Sequence, residues 1–125
     1  MREIKFRVWD RQNKKMSLVS SINYADDGFA KTISVIPAPK AKFHYSLVHG
    51  ENGELMQFTG FIDDEGKEIY EGDLLKFNHD GYDVVKPIEF NNGGFWIKNE
   101  VAQNHLPFKR TVVGNIYETP ELIKN

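Results

Sequence analysis

The chain has 125 residues, a net charge of −2, 13% aromatic residues and no cysteine. This length suits one domain with a core of its own, and the aromatic content excludes a disordered chain. The absence of cysteine excludes disulfides, thiolate metal sites and cysteine nucleophiles. The slightly acidic charge argues against a protein that binds nucleic acid mainly through phosphates.

The N-terminus, MREIKFRVWD, alternates charged and bulky residues. It contains no long apolar region, so we expect no signal peptide. No apolar run in the chain approaches the roughly 20 residues that span a bilayer. We therefore expect a cytoplasmic protein that makes no contact with a membrane.

The first predicted strands form a hairpin. Apolar residues alternate with charged ones over residues 4–8, and apolar residues resume over 16–24 after the polar turn DRQNKK. Alternation with period 2 is typical of a half-buried strand, and two such runs around a polar turn predict a β-hairpin. Asp27-Gly28 marks a second turn.

Two further short strands follow. Residues 32–36 are largely β-branched and end at Pro37-Ala38-Pro39, where proline either stops a strand or confines it to an edge. Alternation returns over residues 43–47. Asn52-Gly53 then predicts a type I′ hairpin turn with positive φ at both positions.

The rest of the chain is organised around the stretch 55–77, LMQFTGFIDDEGKEIYEGDLLKF. An apolar strand leads into an acidic turn closed by Gly66, and Glu71-Gly72-Asp73 precedes a second strand over 74–77. We predict a tight corner in which Gly72 takes a positive φ and Asp73 hydrogen-bonds the backbone. A recognition loop that displays two carboxylates is the less favoured alternative.

The C-terminal part continues the β pattern. Residues 84–90 predict a strand that Pro87 confines to an edge, and Asn91-Asn92-Gly93-Gly94 predicts a hairpin turn. The last predicted strand covers 110–117. Thr119 then predicts the cap of a short helix, because the following proline suits the first helical position.

These elements predict a mainly β protein in which residues 1–125 form a single domain. We expect an N-terminal β-hairpin segment over residues 1–50 and an SH3-like small barrel over 51–125. The barrel is predicted because short strands with tight glycine turns recur at a spacing of roughly 10–15 residues. A short helical turn ends the chain.

Four separated blocks resemble YopX-like proteins, a family of small proteins encoded by bacteriophages and prophages. The blocks are IKFRVWD with Lys15-Met16, LMQFTGFIDDEGKEIYEGDLLK, NGGFW and VVGNIYETPEL, and they occur in the right order. The region between about 20 and 50 carries none of them. The resemblance implies an SH3-type barrel in the C-terminal part and an accessory protein of a phage, and it implies no activity, cofactor or catalytic residue.

The acidic residues and histidines lack the spacing of a metal site. Asp63, Asp64 and Glu65 precede Gly66, but an EF-hand loop with its glycine there would begin at Phe61, which offers no oxygen ligand. We therefore expect a solvated turn. The histidines likewise show no zinc-ligand spacing; they are His44, His49, His79 and His105.

The chain also lacks a recognisable catalytic motif. It has no nucleophile elbow, no phosphate-binding glycine loop and no dinucleotide fingerprint. We predict that the protein is not an enzyme and assign no catalytic, cofactor-binding or metal-ligating residue and no cofactor. A catalytic group assembled from distant carboxylates and histidines stays open as the alternative.

Trp96 is a candidate contact residue. If Phe95 and Ile97 face the core, alternation places Trp96 and Lys98 on the opposite face. An exposed tryptophan there would anchor a protein partner, contact another subunit or stack on a base. Packing within the domain is the favoured alternative, since large aromatic residues are buried on average.

Two functions stay open. The favoured one is a binding or assembly module that contacts an unknown host or phage protein and that could form a homo-oligomer, because edge strands must be paired, covered or blunted. The alternative is a nucleic-acid-binding β barrel with a basic patch near the N-terminus. That patch would consist of Lys5, Arg7, Arg11, Lys14 and Lys15.

Overall fold

The computed structural model describes residues 3–91, 93–97, 107 and 109–123. The predicted mainly β fold is confirmed, because ten strands, all paired antiparallel, and one short 3₁₀ helix at Pro120–Leu122 make up the regular structure of this part. The strands are β1 (Phe6–Asp10), β2 (Lys15–Tyr24), β3 (Ala30–Ile36), β4 (Tyr45–Val48), β5 (Gly53–Ile62), β6 (Glu68–Tyr70), β7 (Asp73–His79), β8 (Tyr82–Asn91), β9 (Gly94–Ile97) and β10 (Thr111–Asn115).

The chain divides into two compact units. Residues 5–57 form the N-terminal unit, and residues 58–125 with 1–4 form the C-terminal unit. The division falls within β5, whereas the sequence placed a boundary at about residue 50.

The N-terminal unit is a single antiparallel sheet in the order β4-β3-β2-β1-β5. Strand β1 lies between β2 and β5, with Val8 opposite Ser17 on one side and opposite Leu55 on the other. The predicted hairpin of β1 and β2 is thereby confirmed. Alternate side chains of a strand share one face, and the core of this unit consists of Val8, Ile33, Val35 and Leu47, with Val19, Tyr45 and Leu55 packed against them.

Asn52-Gly53 does not form the predicted type I′ turn. Neither residue has a positive φ, which occurs instead at Gly50 with a φ of 84°. Gly53 is already part of β5, and a Cβ there would lie 2.9 Å from Leu47 Cβ and 3.3 Å from Val8 Cγ2. The turn prediction is therefore wrong, because glycine at this position allows close packing in the core.

The C-terminal unit contains a four-stranded sheet in the order β10-β7-β8-β9, and the end of β5 pairs with β6. In the part of the chain that the structure describes, these strands form no closed barrel, so the predicted SH3-like barrel is not confirmed. The core of the unit consists of Ile69, Leu75, Phe77, Ile88, Ile97 and Val112, with Val84 and Phe95 packed against them.

Pro87 lies in a strand that is paired on both sides. Strand β8 pairs with β7, where Pro87 is opposite Leu74, and with β9, where the described pairing begins at Ile88. The prediction that Pro87 marks an edge strand is therefore wrong. The proline, which has no N–H to donate, lies next to the last described pair between β8 and β9.

The predicted C-terminal helical turn is present as the 3₁₀ helix. Thr119 precedes it but makes no capping hydrogen bond through its side chain, so its predicted role is wrong. The Thr119 hydroxyl instead accepts a hydrogen bond from Asn115 N–H at 3.1 Å and donates one to Asn115 O at 3.2 Å. This closure leaves no space at Gly114, where a Cβ would lie 1.9 Å from Thr119 Oγ1.

We expect Gly114→Ala to lower the free energy of unfolding by about 1–3 kcal/mol, because the added methyl group overpacks the site and displaces the Thr119 hydroxyl. Urea denaturation measures this loss. In a Thr119→Ala background the same glycine substitution should cost less, since the clashing hydroxyl is absent. An equal cost in both backgrounds would contradict the predicted clash.

Candidate functional site

The Glu71-Gly72-Asp73 corner is a structural turn. Gly72 has a φ of 85°, and its N–H donates to the Ile88 carbonyl at 2.8 Å. Asp73 is buried, and its Oδ2 accepts a hydrogen bond from Tyr70 N–H at 2.7 Å. Both predicted features of the corner are confirmed. The Asp73 carboxylate is part of the interior of the unit rather than a displayed recognition group.

Gly72→Val should lower the free energy of unfolding by roughly 1–3 kcal/mol, because a β-branched residue is strained at positive φ. Gly72→Asn is the matched control and should lose less, since asparagine tolerates this conformation better. Thermal melting of both variants measures the difference. Unchanged melting of the valine variant would refute the strain argument.

Asp63 is the central acceptor of the acidic turn. It is buried, its Oδ1 accepts hydrogen bonds from the Glu65 and Lys67 N–H groups at 2.8 Å each, and its Oδ2 accepts one from Val112 N–H at 3.0 Å. Burial disfavours the charged form, but these bonds and the Lys67 ammonium outweigh it, so the pKa of Asp63 lies below its ordinary value. A charged carboxylate thus connects the turn to β10.

The acidic turn also closes the outer edge of β10. Arg110 N–H donates to Asp64 Oδ2 at 3.1 Å, and Asp64 N–H donates to Arg110 O at 3.0 Å. With Asp63 bound to Val112 and Thr119 bound to Asn115, side chains accept from three N–H groups along this edge. Unpaired edge groups are a template for another strand. Along β10, side chains already accept hydrogen bonds from much of this edge.

The Arg110 side chain is engaged within the same cluster. Its guanidinium donates to Ile62 O from Nε at 3.1 Å and from one terminal nitrogen at 2.8 Å. The guanidinium carbon also lies 5.5 Å from the centre of the Phe61 ring, a distance typical of a cation–π contact. This cation therefore stabilises the turn and is not displayed for a ligand.

Asp63→Asn should reduce stability by about 1–3 kcal/mol at neutral pH, since an acceptor with full negative charge is lost. The folded pKa of Asp63 lies below its ordinary value of 3.8. Its contribution is therefore complete above that value and is lost as the pH falls through the folded pKa.

Urea denaturation between neutral and acidic pH measures both effects, and the asparagine variant should lose less stability on acidification than the wild type. Glu65→Gln is the matched control, because the Glu65 side chain is exposed. Parallel pH profiles for the asparagine variant and the wild type would contradict the role of Asp63.

A second buried carboxylate, Asp10, lies in the N-terminal unit. It accepts hydrogen bonds from the Gln12 and Asn13 N–H groups at 3.0 Å each and from the Tyr45 hydroxyl at 2.7 Å. Burial opposes ionisation, but these bonds prevail and the pKa of Asp10 lies below its ordinary value. Burial and the Asp10 charge raise the pKa of Tyr45. This pair is not predicted from the sequence, where its only local signal is an aspartate at the start of a polar turn.

The basic residues near the N-terminus do not form one displayed patch. Three of them are engaged within the N-terminal unit: Arg7 with the Met56 sulfur, Arg11 with the Glu54 carboxylate and Lys15 with the Pro37 carbonyl. Lys5 and Lys14 are exposed on different elements, Lys5 before β1 and Lys14 in the turn after it. Phosphate binding through this cluster would have to break existing contacts.

No group of three or more His, Asp or Glu side chains is placed to hold a metal ion within the described ranges. His49 instead accepts a hydrogen bond at Nδ1 from Leu55 N–H, 3.3 Å away. His105 lies outside the described residues. The described part also contains no helix with the length and apolar character needed to cross a membrane.

The Trp96 side chain also lies outside what the structure describes. The residue is part of β9 and pairs with Glu89 of β8. Whether its side chain packs within the protein or contacts a partner stays a prediction.

The outer edge of β4 is open over part of its length. Val48 N–H points away from β3 and donates to Asn52 Oδ1 at 2.6 Å, whereas His49 N–H donates to Lys31 O at 2.9 Å. Inward and outward groups alternate along an antiparallel strand. The N–H and C=O of Ser46, an exposed residue, therefore also point outward. Within the described part of the chain they meet no hydrogen-bond partner.

Large apolar side chains are exposed at several places in the N-terminal unit. Phe43, which leads into β4, is 66% exposed, and Tyr24 and Phe29 at the turn between β2 and β3 are 63% and 75% exposed. Single exposed apolar residues are common on protein surfaces and define no site alone. Phe43 differs because an open strand edge follows it directly.

Known proteins resemble this chain in sequence and in fold. The YopX protein family matches residues 5–124. The crystal structure of protein EF1440 from Enterococcus faecalis is similar with a TM-score of 0.72 and 23% identity, covering 99% of this chain and 100% of that one. At this identity the similarity concerns the fold alone. No curated protein sequence matches the chain.

Proposed function

The chain belongs to the YopX protein family, and we propose that it is a binding module, without catalytic activity of its own, that attaches a protein partner at the outer edge of β4. The observation that carries this proposal is the contrast between two strand edges. Side chains accept from Val112 and Asn115 N–H on β10 and from Arg110 N–H just before it, whereas the outward groups of Ser46 have no partner among the described residues. Proteins normally blunt such edges, and an open one is a place where another strand adds.

We further infer from the family resemblance that the protein is an accessory factor of a phage or prophage and acts in the cytoplasm of the bacterial host. Its partner is a host or phage protein, or a second copy of this chain. Strand addition suits either partner, because main-chain hydrogen bonds supply affinity without requiring a particular partner sequence.

Nucleic acid is the alternative partner. The net charge of −2 and the engagement of Arg7, Arg11 and Lys15 within the N-terminal unit weigh against it. Phosphate binding weakens steeply with added salt. If the molecules captured with the protein were lost on nuclease treatment or at raised salt, that result would favour nucleic acid as the partner.

Affinity capture of the tagged protein from bacterial lysate, with and without nuclease treatment and at two salt concentrations, tests the proposal. Ser46→Pro removes the outward N–H without removing a hydrogen bond to β3. Ser46→Ala is the matched control, because it changes the side chain and keeps that N–H. The wild type and the alanine variant should retain the same protein, and the proline variant should lose most of it.

Circular dichroism and urea denaturation establish whether the proline variant is folded. Undiminished retention of the partner by a folded proline variant would show that the β4 edge is not the binding surface. The proposal also fails if the wild type retains only nucleic acid, or no protein at all.

A further inference from the structure

The segment around β4 is basic throughout. Residues 31–50 contain no Asp or Glu and three lysines, together with two histidines: Lys31, Lys40, Lys42, His44 and His49. Lys40, Lys42 and His44 are exposed. In a chain with a net charge of −2 this is a local excess of positive charge, which attracts an acidic partner.

A turn holds one of these cations in place. Ala41 N–H donates to Ala38 O at 3.0 Å, and Lys40 takes the third position of that turn with a φ of 63°. Glycine and asparagine are the usual residues in this conformation, so a lysine there has a conformational cost. The turn fixes the backbone of Lys40 on the approach to the open edge.

The open part of the edge lies next to the lysines. Asn52 Oδ1 already accepts from Val48 N–H, so the open groups are those of Ser46, which the exposed residues 42–44 precede. Glu51 lies at the closed end, five residues after Ser46. Positive charge and available main-chain groups therefore coincide on one side, while the carboxylate lies at the other.

We infer that this edge binds an acidic, extended segment of a protein partner, which adds as a strand beside Ser46 and places its carboxylates against Lys40 and Lys42. The inference rests on the proposed function and names its class of partner. Main-chain hydrogen bonds to Ser46 give affinity, and the lysines select the charge of the segment. Two copies of this same edge would bring like charges together, which disfavours self-pairing.

Fluorescence anisotropy with the 125-residue chain tests the inference. The probe is a short labelled peptide in which Glu alternates with Val, and the matched probe has Lys in place of each Glu. The acidic peptide should bind, and its affinity should fall as salt is added, since exposed charges are screened. The lysine peptide should not bind.

Three variants locate the binding. Lys40→Glu/Lys42→Glu should weaken binding of the acidic peptide at least about tenfold, because attraction becomes repulsion. Ser46→Pro should weaken it severalfold, whereas Ser46→Ala should not. Lys14→Glu is the matched charge control, since Lys14 is exposed in the turn between β1 and β2, and affinity should stay within about twofold.

Failure of the acidic peptide to bind, equal binding of the lysine peptide, or full affinity in the double lysine variant would each overturn the inference. Tighter binding of a single-stranded oligonucleotide of equal charge would overturn it in favour of nucleic acid. The capture experiment decides the proposed function separately, because its outcome depends on the Ser46 N–H and not on the charge of the partner.

Discussion

Buried carboxylates that hold backbone N–H groups are the interaction on which both units depend. Asp63 holds three such groups in the C-terminal unit, and Asp10 holds two together with the Tyr45 hydroxyl in the N-terminal unit. Hydrogen bonds to a charged acceptor are shorter and stronger than neutral ones. Removing such an acceptor would leave buried donors unsatisfied, which costs more than the bond itself contributes. Asp63, which lies among other acidic residues in the sequence, is thus needed for the fold.

This use of charge separates the two kinds of edge in the protein. Along β10, carboxylates of the acidic turn take the place of a neighbouring strand, and Arg110 fixes that turn through Ile62 O. Along β4, a neutral amide performs the same task at Val48 alone. The protein therefore protects one edge with carboxylates that already accept hydrogen bonds and leaves the other beside exposed lysines.

Much of the fold could be predicted from the sequence because strand alternation and tight turns are local properties. Alternation placed the β1–β2 hairpin, and the corner at Gly72 followed from glycine preference for positive φ. The errors at Gly53 and Pro87 concern packing and strand order, which depend on residues from other elements. The β4 edge was not predictable for the same reason. A strand becomes an edge only through the order of the whole sheet, and Ser46 carries no local signal of it.

The amide of Asn52 has a consequence for any strand that pairs along β4. The Asn52 amide oxygen accepts from the outward N–H of Val48, so this N–H is not available to an added strand. Pairing of that strand along β4 therefore ends at Ser46. A slip of one residue would turn every side chain of that strand to the opposite face. A single asparagine thereby sets the register of the added strand. Each face of that strand then carries a defined set of side chains, even where its sequence is repetitive.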